Sequence, residues 1–141
     1  HLRDLLVGQA SAAARQREAL LETIDGEYES LIDARQQFEA AEVPLEARDE
    51  RALTEEFFET LFHLDRRSRR DETRYERLLA DRQRQIRRET RWLRTSDATF
   101  LQEYLYRDFD VRFPVLQATL ERIRRLRERR RALTREIARR Q

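Results

Sequence analysis

Two glycines and two prolines in 141 residues leave this chain very few places to turn. Tight turns draw on those residues for their special backbone angles, so long uninterrupted elements follow. Between the breaks, apolar side chains recur every three or four positions, the spacing of one helix face. No segment alternates apolar and polar through four steps with turn signals at both ends, as a half-buried strand would. Arg, Glu, Leu, Ala and Gln dominate, and all favour helix. Charged residues make up 41% and hydrophobic ones 39%; that suffices for narrow seams between helices and falls short of a thick core. The expected fold is all-α: an elongated, antiparallel, coiled-coil-like helical bundle of three or four long helices, one module over residues 1–141.

The first helix is expected over about residues 2–42, with Leu20, Ile24, Tyr28, Leu31 and Phe38 on its packed face and Leu5, Leu6, Ala12 and Ala13 extending the stripe. Gly8 and Gly26 lie inside it, each costing about 1 kcal/mol relative to Ala. Val43-Pro44 stops it, because the residue before a proline is pushed out of the α region. The second helix, about 45–94, carries Leu53, Phe57, Leu61 and Leu64, with Phe58 and Phe62 beside them; the seam resumes at Tyr75, Leu78, Leu79, Ile86, Trp92 and Leu93. Between lies Asp65–Arg74 without one large apolar residue. Either the helix continues as a solvated segment, or Ser68 caps a new one with Asp71 and Glu72 in its first turn. Ser96 or Asp97 is the expected cap of a short aromatic helix over about 97–110, which Phe113-Pro114 ends. The last helix, about 114–140, carries Leu116, Leu120, Ile123, Leu126, Leu133 and Ile137, and Arg130 stands where an apolar residue belongs.

Charge is divided along the chain. Residues 1–64 carry a net −9, residues 65–94 +6, residues 95–120 −2 and residues 121–141 +7, and every basic side chain is Arg. Read within the chain, acidic and basic helices lie side by side and their flanking charges select direction and register. Read outward, the C-terminal stripe meets an external anion: nucleic-acid phosphate, an anionic membrane surface, or an acidic protein helix.

Chemistry-bearing constellations are scarce. There is no cysteine, so disulfides and thiolate metal sites are excluded. The two histidines, His1 and His63, are far apart, whereas a metal site needs three or four converging ligands. The two glycines are too distant to form a phosphate loop, and adjacent pairs such as Glu55-Glu56 point different ways on a helix. No enzyme activity, cofactor, metal or small-molecule substrate is expected. No run of 18 apolar residues offers a membrane span, and the chain opens on His rather than Met, as a piece of a longer protein would.

An aromatic cluster runs from Trp92 through Phe100, Tyr104, Tyr106 and Phe109 to Phe113. It reads as packing where three segments converge, or as an anchor for a partner. The partners that fit are protein helices, self or other, with nucleic acid or an anionic membrane surface as the alternative. The candidate contact residues are Arg124, Arg125, Arg127, Arg130 and Arg131 around the apolar Leu126, Leu133 and Ile137, together with Trp92, Tyr104 and Phe109.

The stretch from Arg17 to Leu64 resembles the helical extramembrane region of large MscS-type mechanosensitive channels, through the spacing of Leu20, Leu21, Tyr28, Leu31, Leu53, Phe58 and Leu61. The resemblance implies a periplasmic, membrane-tethered structural role without catalytic residues. The sequence departs from that pattern after Leu64, where further charged helix follows instead of a membrane span.

Overall fold

In a computed structural model the chain is described over residues 1–40, 50–93 and 101–141. It is all-α, with no strand among the described residues. Three long helices, α1 (Leu2–Ala40), α3 (Phe58–Leu93) and α5 (Pro114–Arg139), are joined by two short ones, α2 (Glu50–Glu55) and α4 (Leu101–Leu105). The Val43-Pro44 stop and the Ser96 or Asp97 cap lie outside the described residues.

The main packing is between α3 and α5. On α3 the buried residues are Leu61, Leu64, Ser68, Asp71, Tyr75, Leu78 and Arg82, stepping alternately by three and four. On α5 the matching row is Thr119, Ile123, Leu126, Arg130, Leu133 and Ile137. The two run in opposite directions: Arg127 reaches Glu72 and Glu76, Arg130 reaches Glu72 and Asp65, and Arg122 reaches Tyr75. Leu53, Leu61, Leu64, Tyr75, Ile123, Leu126 and Leu133 form one apolar cluster, flanked by Phe38, Leu79, Ala132 and Ile137. Each large side chain so buried stabilises the pair by roughly 1.5–3 kcal/mol. Helix α5 opens on Pro114, where the missing N–H costs nothing.

Helix α3 runs unbroken through Asp65–Arg74. The seam there is polar: Ser68 is fully buried and its hydroxyl donates to the Asp65 carbonyl at 2.7 Å, while Asp71 is buried beside it. Arg130, the misfit on the α5 stripe, fills its place by pairing with Glu72 across the seam.

Four expectations need correction. The single helix over 45–94 is two, because the chain leaves the helix at Glu56 and Phe57 and starts again at Phe58. The broken end is met from 84–87 residues away in sequence: the Arg140 guanidinium donates to the carbonyls of Leu53, Thr54 and Glu56, supplying partners for the carbonyl groups a helix end leaves open. Phe57, assigned to the seam, is 83% exposed. Of the aromatic helix expected over 97–110, the described residues hold α4; beyond Leu105 the chain bends until Pro114, and of its aromatic residues Tyr106 is buried while Tyr104 and Phe109 are exposed. On α5 the inward side chain is Thr119, and Leu120 is exposed.

The largest correction concerns α1. Its face against α3 is Glu27, Ala34 and the half-buried Gly26, Ser30 and Phe38. The stripe Leu20, Ile24, Tyr28 and Leu31 points outward, as do Leu2, Leu5, Leu6, Leu21 and Ile32. All of residues 1–18 are exposed.

Candidate functional site

What holds α1 is a buried ionic clamp. Glu27 and Arg82 are each 3% exposed. The Glu27 carboxylate accepts hydrogen bonds from Arg82, from the Tyr106 hydroxyl and from the Gln102 amide at 3.2 Å, so one carboxylate ties together α1, α3, α4 and the turn after α4. Arg82 also donates to the Ser30 hydroxyl at 2.8 Å and to Gln85 at 3.3 Å. The Gln85 amide donates to the Gly26 carbonyl at 3.2 Å and to Glu89 at 2.9 Å, and Gln102 donates to Glu89 at 3.2 Å.

The electrostatics follow from burial and partners. Burial alone would push the Glu27 carboxyl up, but the hydrogen bonds from Arg82 and Tyr106 outweigh it and hold the group below the ordinary carboxylate range. Burial raises Glu89, and the Glu27 charge nearby adds to the rise. Burial and donation to Glu27 push the Tyr106 hydroxyl well above its usual value. A carboxylate engaged by three donors is a positioning device. Such a pair fixes register more than it adds net stability, because desolvation offsets most of the attraction.

The eleven candidate contact residues separate into groups. Leu126 and Leu133 are 0% exposed and Ile137 packs against the same core, so the apolar anchors assigned to a partner are already packed within the chain. Arg127 and Arg130 pair with Glu72, and Arg127 also with Glu76. Arg124 and Arg125 pair along α5 with Glu128 and Glu121, and Arg131 is exposed. Tyr104 is exposed with Arg107 over its ring at 5.0 Å, and Phe109 is exposed against the edge of Tyr106 at 5.9 Å. The Trp92 side chain lies outside the described residues.

Cations without an ion pair also lie on α3. Arg66, Arg70, Arg77 and Arg88 share its outward face and, among the described residues, form no ion pair. An open groove of about 470 Å³ runs between this face and α1; Asp33 and Gln37 form one wall, and Arg70, Thr73, Arg74 and Arg77 the other. A second groove, of about 390 Å³, lies between α1 and the start of α5 and is lined mainly by Leu31, Ala34, Phe38, Val115 and Ala118, with Arg122 stacked on Phe38 at 4.5 Å.

Sequence reasoning missed Glu27 and Arg82, and placed Tyr106 in the aromatic cluster without its bond to Glu27. A signal existed for Arg82, which continues the seam set by Leu61, Leu64, Tyr75 and Leu78 as Arg130 continues the α5 row. Among the described residues, no group of three or more His, Cys, Asp or Glu is placed to hold a metal ion, and no helix is long and apolar enough to cross a membrane.

No curated protein and no solved structure matches the chain. No such likeness links residues 17–64 to mechanosensitive channels. One family profile, described as a domain of unknown function (DUF7260), matches residues 1–130. With nearly the whole chain covered, this protein belongs to the DUF7260 family.

Proposed function

We propose that the chain is a non-enzymatic helical scaffold that recognises protein helices, and that α1 is its contact element. In this reading α3 and α5 form an elongated antiparallel coiled-coil pair, and α1 is clamped beside it with its apolar stripe turned outward. One observation carries the reading: Leu20, Leu21, Ile24, Tyr28 and Leu31 follow helical spacing and are all at least 36% exposed. A contiguous apolar strip on an exposed helix marks a contact surface, and an amphipathic helix docks through i, i+3, i+4 and i+7 anchors. The buried Glu27–Arg82 pair supports it, since it sets which face of α1 turns outward.

The anion-binding alternative at the C-terminal helix draws less support. Arg125, Arg127 and Arg130 are already engaged by Glu121, Glu72 and Glu76. The extramembrane-channel alternative rests on the resemblance of residues 17–64 alone.

A photo-crosslinking benzophenone side chain at Ile24, irradiated in the cell of origin, should yield a covalent adduct with a polypeptide. Absence of any polypeptide adduct from Leu20, Ile24 and Leu31 alike would remove the reading.

A further inference from the structure

The groove between α1 and α3 has Asp33 and Gln37 on one wall and Arg70, Arg74 and Arg77, with Asp81, on the other. Beyond the groove, Glu22 and Glu29 continue the Asp33 face of α1, and Arg66 continues the Arg70 and Arg77 face of α3. Among the described residues Glu22, Glu29, Asp33, Arg66, Arg70 and Arg77 form no ion pair within the chain. They stand free while Arg127 and Arg130 on α5 are drawn to Glu72, and Glu27 to Arg82. A surface with an acidic wall beside a basic wall is self-complementary under a two-fold axis, the symmetry most soluble oligomers adopt.

We propose that this groove is the interface for a second copy of the chain, in which α1 of each copy lies along α3 of the other. The inference goes beyond the reading of α1 as a contact element, because Glu22, Glu29 and Asp33 lie on the side of α1 opposite Leu20, Ile24 and Leu31. The spacing supports it. Within one copy α1 and α3 are antiparallel, as the pairings Phe38 with Tyr75 and Glu27 with Arg82 show. A two-fold axis across the groove at Asp33 and Arg77 sets α1 of one copy parallel to α3 of the other. The interval from Glu22 to Asp33 equals that from Arg66 to Arg77, three turns or about 16 Å. Glu22 then lies beside the second copy's Arg66 and Asp33 beside its Arg77, while Glu29 is level with its Thr73, within one turn of its Arg70.

A polyanion fits this groove less well, because Asp33 and Asp81 line it together with the arginines.

Light scattering after gel filtration tests the proposal with the chain as it stands. At low salt the mass should approach twice 17.2 kDa, and it should fall toward the monomer between about 50 and 500 mM salt as screening shortens the reach of the charges. A Glu22→Arg/Glu29→Arg/Asp33→Arg chain and an Arg66→Glu/Arg70→Glu/Arg77→Glu chain should each lose at least about tenfold in self-affinity. Mixed, the two should recover the dimer, because each reversed wall meets the other. Circular dichroism checks that both variants remain helical. Hydrogen exchange on the unmodified chain needs no variant: protection over Glu22–Asp33 and Arg66–Arg77 should rise with concentration. A monomer at up to about 100 μM and low salt overturns the proposal, as does a dimer indifferent to both reversals or a monomer that takes up nucleic acid. None of these results touches the benzophenone adduct, whose mass reports separately whether α1 meets any polypeptide.

Discussion

Helices α1 and α5 carry apolar stripes of the same period, and the fold uses them in opposite ways. On α5 the stripe is buried: Ile123, Leu126 and Leu133 close on Leu61, Leu64 and Tyr75 of α3. On α1 it faces outward, and the helix is fastened by Glu27, whose buried carboxylate is gripped by Arg82 and Tyr106. Apolar periodicity therefore says that a face is destined for contact without saying whether the contact lies within the chain. Burial of greasy surface supplies the free energy of the α3–α5 pair. A few directional hydrogen bonds supply the orientation of α1.

This contrast can be broken or sharpened by experiment. The largest effect should come from Arg82→Ala, which leaves Glu27 buried without its cation and costs about 3–5 kcal/mol of α1 docking. Hydrogen exchange should then rise over residues 19–40 to the level of residues 2–18, with α3 and α5 still protected; equal loss everywhere would mean one cooperative unit and no contrast. Leu126→Ala should cost about 2–5 kcal/mol, read as a global fall in denaturation midpoint, since its side chain fills the middle of the α3–α5 seam.

Acid should separate the two regions as well. Glu27 titrates below its ordinary 4.5 in the folded chain, so its contribution is complete above that value and is lost as pH falls through the depressed one. Glu89, raised by burial, takes its proton earlier and relieves its repulsion of Glu27, so the decline should begin only once Glu27 itself protonates. Exchange rates in α1 followed from pH 5 downward test this, and a decline that begins in the α3–α5 seam would contradict it. Arg140→Ala should cost about 1–3 kcal/mol by stranding the carbonyls of Leu53, Thr54 and Glu56, with the loss confined to α2 in an exchange experiment. The smallest effect, a gain of about 0.8–1 kcal/mol, should come from Gly26→Ala. Nothing lies within 4 Å of a methyl group placed there, and the thermal midpoint should rise.

Much of α3 and α5 was legible because local rules and tertiary packing agree there. Pro114 marks a start, and the three-and-four rhythm of Leu61, Leu64, Tyr75 and Leu78 marks the inward face. Arg130 announced itself as a misfit, and the acid it pairs with was foreseeable from the acidic residues of α3. The rotation of α1 was not legible, since its strongest apolar stripe is not the face that packs; the decisive group is a glutamate, a residue sequence patterns assign to solvent. The break between α2 and α3 was equally hidden. No glycine or proline marks it, and the groups that receive the broken end come from Arg140, at the far end of the chain. The groove between α1 and α3 could be described from sequence only as charge division, because which acid faces which arginine depends on that rotation.

Every positive charge on the outward row of α3 is a guanidinium group, because the chain has no lysine at all. Acetylation, the usual way to erase a positive charge, has no side chain to act on here, and a guanidinium keeps its proton to beyond about pH 12. Whatever rests on that row can be loosened by protonating carboxylates or by crowding it with salt, but alkali and acetyltransferases leave it untouched.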